Sequence, residues 1–152
     1  MIYLVQRFHI QHKVSKFCWK ASVGESNDQV TLSQTCKLLF EYTHNQQLVE
    51  VKSRKCVKSE GFVNGSPIML SNDCLGKDSK WDWSTDHLKL AGSGMCIHIY
   101  SKNKTVVEGK KIVLHSGCGS DVNNFQRLPG RFTIPIYFLL DVYYSINVGI
   151  PF

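Results

Sequence analysis

Six cysteines, at positions 18, 36, 56, 74, 96 and 118, divide the chain into three similar parts. Within successive pairs the separations are 18, 18 and 22 residues, and the first members of the pairs lie 38 and 40 residues apart. The surroundings repeat as well. Ser15-Lys16-Phe17-Cys18, Ser53-Arg54-Lys55-Cys56 and Ser93-Gly94-Met95-Cys96 all read S-x-x-C. Val30-Thr31-Leu32, Ile68-Met69-Leu70 and Ile112-Val113-Leu114 each place a leucine four residues before a second cysteine. An aromatic follows each of these: Phe40, Trp81 and Phe125. Upstream of each pair runs an apolar alternation, Phe8-x-Ile10, Val49-x-Val51 and Leu88-x-Leu90. A repeat of this length must be settled before any local reading, because it dictates how the core is shared.

Each unit of about 40 residues reads as several short strands, from its period-two alternation and β-branched residues. Gly24-Glu25-Ser26-Asn27-Asp28, Asn64-Gly65-Ser66 and Gly117-Cys118-Gly119-Ser120 punctuate the turns. No stretch sustains a capped helical period. A unit so small cannot bury its apolar face alone, so three must share one interior. The expectation is an all-β, barrel-like, pseudo-threefold domain over residues 7–129, with units at about 7–45, 46–86 and 87–129. Phe40, Trp81 and Phe125 should line its axis. Trp83 and Tyr42, two positions further on, should also point inward.

The length of 152 residues fits one domain, and a hydrophobic fraction of 43% excludes disorder. The net charge is +6, but the basic residues are scattered from Arg7 to Arg131, with no block that would bind nucleic acid. Met1-Ile2-Tyr3-Leu4-Val5 is too short for a secretory leader, which leaves a cytosolic chain or a piece of a longer exported one. Residues 130–152 form an apolar tail without lysine or cysteine. Asp141 in its middle argues against a membrane span, since a charge there costs about 2.5 kcal/mol or more. A packed terminal strand, or translation past an exon end, is the simpler reading, and membrane contact would arise only if the tail or flanking sequence spans. The tail is expected to carry no function.

The three-unit pattern of F-x-I, S-x-x-C, [VI]-x-L-x-x-x-C and a following aromatic resembles the ricin-B-type β-trefoil. Lys80-Trp81-Asp82-Trp83, running into Leu88 and Cys96, is especially similar to the cysteine-rich N-terminal domain of the mannose receptor family. Six cysteines allow fifteen connectivities. The symmetry of the repeat selects Cys18–Cys36, Cys56–Cys74 and Cys96–Cys118, each worth about 3 kcal/mol in the chain-entropy model. Such bridges persist in oxidising compartments, which suits an extracellular, secreted or receptor ectodomain. The sequons at Asn64 and Asn103 are consistent with a glycoprotein. A zinc site built from Cys96, His98, His115 and Cys118 is the competing reading. Its spacing is unusual and the other units lack the histidines, so neither metal nor other cofactor is expected.

The resemblance implies galactose binding through an Asp two residues after the first cysteine, an aromatic platform two before the second, and an Asn-Gln pair before the core aromatic. Here those places hold Lys20, Lys58 and His98; Gln34, Asn72 and Ser116; and Leu38, Ser79 and Asn123. Ordinary galactose binding is therefore not expected. A cation at the pocket floor, Lys58 or His98, favours a sulfated or otherwise acidic glycan. Trp19 has no aromatic counterpart in the other units and is the candidate for an exposed contact. The alternative is a protein-interaction or structural module of a receptor ectodomain that has lost sugar binding. Ser84-Thr85-Asp86-His87 holds triad-type residues without triad geometry, and no free thiol remains, so the reading is non-enzymatic.

Overall fold

The computed structural model of the chain describes residues 6–21, 28–84, 86–100, 106–120 and 123–130. The apolar tail beyond Gly130, the sequon at Asn103 and most of the Gly24–Asp28 turn lie outside these residues. Each repeat contributes four short strands. The first holds β1 (Phe8–His12), β2 (Cys18–Lys20), β3 (Thr31–Ser33) and β4 (Phe40–Tyr42). The second holds β5 (Leu48–Glu50), β6 (Cys56–Ser59), β7 (Ile68–Ser71) and β8 (Trp81–Asp82). The third holds β9 (Lys89–Leu90), β10 (Cys96–Ile99), β11 (Ile112–His115) and β12 (Phe125–Pro129). A 3-10 turn, Lys77–Ser79, precedes β8, and no described residue lies in an α-helix.

First and fourth strands build the barrel. β1 pairs with both β4 and β12, β4 with β5, and β8 with β9. Trp81 N donates to Gln46 O, and Phe125 N to Asp86 O, closing the remaining seams. Second and third strands form three hairpins in the same register: Cys18 faces Ser33, Cys56 faces Ser71 and Cys96 faces His115. Backbone bonds from Val30 N to Ile68 O, Ile112 N to Val30 O and Leu114 N to Ser66 O join the hairpins into a cap. This is a β-trefoil. The disulfides are Cys18–Cys36, Cys56–Cys74 and Cys96–Cys118, one per lobe, as the repeat requires.

The S-x-x-C motif has a local cause. In each lobe the serine Oγ accepts the N–H two residues on: Ser15 from Phe17, Ser53 from Lys55 and Ser93 from Met95, at 3.1–3.2 Å. The residue between is left-handed, with φ of 67° at Lys16, 60° at Arg54 and 69° at Gly94. The serine thus satisfies a backbone donor in a tight turn that aims the first cysteine into its hairpin.

Phe40, Trp81 and Phe125 are all fully buried, and Trp83 is nearly so, while Tyr42 is half-buried and donates its hydroxyl to Trp81 O. Two expectations need correction. In the second lobe the inward residue is Leu48, eight before the first cysteine like Ile10 and Leu88; Val51 is in a turn and only half-buried. Trp19 is not exposed: it retains 1% of its surface and packs edge-on against Phe40 and Phe125. Its counterparts one residue after the first cysteine are Val57 and Ile97, both fully buried. The position is apolar in all three lobes, and the first lobe fills it with an indole.

Candidate functional site

The hairpin strands place the residue two after each first cysteine outward. In β2, β6 and β10 the cysteine and its successor are buried, the successor within the core, and Lys20, Lys58 and His98 emerge at the rim. The disulfide at the start of each strand fixes the backbone there. The three rims share a frame but differ in charge.

In the first lobe, Glu108 reaches across from the third repeat and accepts Gln34 N at 2.6 Å. That backbone N–H, then the Ser33 hydroxyl and the nearby Lys20, hold the Glu108 carboxyl below the ordinary range. Lys20 therefore has a carboxylate beside it. In the second lobe, Lys58 Nζ lies 3.3 Å from Asp73 and 3.5 Å from Asp78. Its hydrogen bond to Asp73 chiefly raises its pKa, and Asp73 is correspondingly held low, first by Leu75 N–H and then by Lys58. The adjoining cleft of about 400 Å³ is lined by Asp28, Glu60 and Asp78 as well as Lys58. Asp28 is itself buried and bonded to Lys55. An anion entering here must displace carboxylates.

The third lobe is different. His98 stacks on His115 with ring centroids 4.6 Å apart. The register explains the stack: His98 faces Val113, so His115 is its diagonal neighbour on the same face of β10 and β11. Asn123, fully buried, sets the orientation of His98. Its Oδ1 accepts from Ser120 N and Oγ, and its Nδ2 donates to Ile97 O. The remaining amide hydrogen therefore meets His98 Nδ1 at 3.1 Å, leaving the ring proton on Nε2. His115 Nδ1 likewise accepts from Gly117 N. Burial, then the neighbouring His115, pushes the His98 pKa below its usual 6.5. Asn64, Gly65, Tyr100 and Val113 complete a cleft of about 300 Å³, with no carboxylate among the described residues that line it. Tyr100 is nearly half exposed.

Of the residues singled out from sequence, His98 and Asn123 are thus brought together, and Asn64 joins them at the cleft. Asn64 Oδ1 accepts from Ser116 N, leaving Nδ2, the atom a glycan would modify, outside that bond. Lys58 lies in another lobe, and Trp19 is in the core. Cys96 and Cys118 are joined to each other, so the zinc arrangement has no free sulfurs. Tyr100 and His115 were missed as cleft residues. The signal was available: Tyr100 follows His98 at strand spacing, and His115 stands three before Cys118, in the position paired with Cys96.

No protein-family profile matches the chain, and no curated protein does. Solved structures do. The designed three-fold symmetric protein ThreeFoil superposes with a TM-score of 0.67 at 14% identity, covering 80% of this chain and 97% of that one. An agglutinin from Abrus precatorius gives 0.66 at 14%, covering 84% of this chain, which spans 50% of that one. The C-half of the earthworm R-type lectin, solved in complex with GalNAc, gives 0.66 at 10%, covering 82% and 99%. The structural neighbours thus include ricin-B-type β-trefoil lectins, and the likeness at these identities is one of fold.

Proposed function

We propose that this chain is a non-enzymatic, lectin-like recognition module whose glycan site is the third-lobe cleft. Its preferred ligands carry a sulfate or carboxylate. The observation that carries this reading is the charge of the three rims. Lys20 and Lys58 stand beside carboxylates, whereas His98 and His115 line a cleft with none among the described residues. Tyr100 offers an aromatic ring for the apolar face of a sugar, and the imidazole Nε2 groups offer donors to hydroxyl or oxyanion. An anionic ligand beside the ring stabilises the imidazolium, whose formation burial opposes in the free protein, so acid favours the complex. Lectin neighbours solved with GalNAc and with 6'-sialyllactose support a glycan as the partner. The three disulfides support an oxidising, extracellular setting. Placement in a receptor ectodomain, as in the mannose receptor family, rests on the Lys80–Trp83 segment and remains part of the proposal.

A glycan array at pH 7.5 and 5.5 tests the reading. Sulfated or carboxylated glycans should bind more strongly at the lower pH, and His98→Ala should abolish that increase. Lys58→Ala should change binding less than about twofold, because its charge is already engaged. A blank array would favour a protein-interaction module, a reading helped by the carboxylates that occupy the first two rims.

A further inference from the structure

A second cationic site lies on the barrel wall, on strands that belong to none of the capping hairpins. Arg127, exposed on β12, holds its guanidinium carbon 4.5 Å from the ring centre of Trp83 and 5.2 Å from those of Phe8 and Tyr42. The three rings come from β1, β4 and the segment after β8, and Phe8 and Trp83 pack edge-on at 5.6 Å. Contacts with ring faces use the charge of the guanidinium and not its N–H donors. Among the described residues, no carboxylate pairs with Arg127 and no oxygen accepts from its side chain. Gln126 and Asp86 border the same cleft of about 400 Å³, and Asp86 is paired with Lys13 at 3.0 Å.

A long side chain clamped by three rings has already lost most of the rotamer freedom that binding would cost it. Its fork of donors, unengaged by any described residue, matches two oxygens of a sulfate, phosphate or carboxylate. We propose that Arg127, held in the Phe8–Tyr42–Trp83 cage, is an oxyanion-binding site separate from the third-lobe cleft. An acidic glycan or other polyanion reaching both sites would gain from simultaneous engagement.

The test is a titration of the disulfide-bonded chain with sodium sulfate at constant ionic strength, following the Arg127 Nε–Hε resonance. A saturable shift over millimolar sulfate is expected, with sodium chloride giving none. Arg127→Lys keeps the charge but loses the fork, and should weaken binding at least about tenfold. Arg127→Met keeps an apolar stem over the rings, and should retain the fold while eliminating sulfate-induced shifts of the Trp83 indole resonance. His98→Ala should leave the Arg127 titration unchanged, so failure of the cleft reading would not be mistaken for failure here. A linear response shared with chloride, or equal binding by Arg127→Lys, would overturn the proposal. Acetate, phosphate and sulfate run in parallel identify which oxyanion the site prefers.

Discussion

Asn123→Ala tests how the third-lobe cleft is held. The wild-type side chain is fully buried and makes four hydrogen bonds: to Ile97 O and His98 Nδ1 at 3.1 Å, and from Ser120 Oγ at 3.0 Å and Ser120 N at 3.4 Å. Alanine removes all four and inserts nothing. The Ser120 groups are at an exposed turn, where water replaces the lost acceptor at little cost. Ile97 O and His98 Nδ1 face the space left by the amide and lose their donor. At roughly 1 kcal/mol net per bond, with an added penalty for a buried carbonyl left unpaired, the change should destabilise by about 2–4 kcal/mol. Urea unfolding at pH 7.5 with disulfides intact should show a lower midpoint and an unchanged slope. A double-mutant cycle with His98→Ala should return a coupling of about 0.5–1.5 kcal/mol, since the two residues share one bond. A loss below about 1 kcal/mol with no coupling would mean that water substitutes for the amide. His98 would then not be oriented by Asn123, and the geometric basis of the proposed cleft would fail.

Three further outcomes are expected. Trp19→Ala should destabilise by about 3–5 kcal/mol, measured by the same unfolding experiment, because it empties a core position between Phe40 and Phe125; an exposed residue would cost almost nothing. Lowering the pH from 7.5 to 5.5 should lower Tm. The unfolded imidazole protonates near 6.5 and the folded His98 only at lower pH, so its stabilising contribution is complete above about 6.5 and lost as pH falls through the folded value. His98→Gln should narrow that gap, and an equal Tm shift in the variant would refute the assignment. A chain ending at Gly130 should keep its cooperative calorimetric transition, since all six cysteines and the pairing of β1 with β12 lie before that point.

The bridges and the central aromatics were legible because both are fixed by spacing within a repeat, and strand periodicity converts spacing into facing direction. The burial of Trp19 is hidden in the sequence because the lobes share only burial at that place, not aromaticity: Val57 and Ile97 occupy it with smaller side chains. Leu48 escapes the pattern for a similar reason: Val49-x-Val51 satisfies the alternation, but neither valine stands eight residues before its cysteine as Ile10 and Leu88 do. The charge of the rims was illegible in a different way. Glu108 reaches Gln34 across 74 residues, and Asp73 and Asp78 reach Lys58 from the far side of a disulfide loop. Pairings of that kind depend on side-chain reach in the folded lobe, which no local pattern encodes.

The pairing of β1 with β12 has a topological consequence. Phe8 stands opposite Pro129 and His12 opposite Phe125, so the chain enters and leaves the barrel through neighbouring strands. A domain with adjacent entry and exit can be spliced into a host loop without prying the host apart, or strung along a longer polypeptide like a bead. It also means that the ends could be joined and the chain reopened between lobes, for example near Thr43–Gln47, with each disulfide still enclosed in its own segment. During synthesis the same arrangement separates two events. Each cystine closes within a short stretch, and can form as its lobe emerges. The barrel must wait for its last strand.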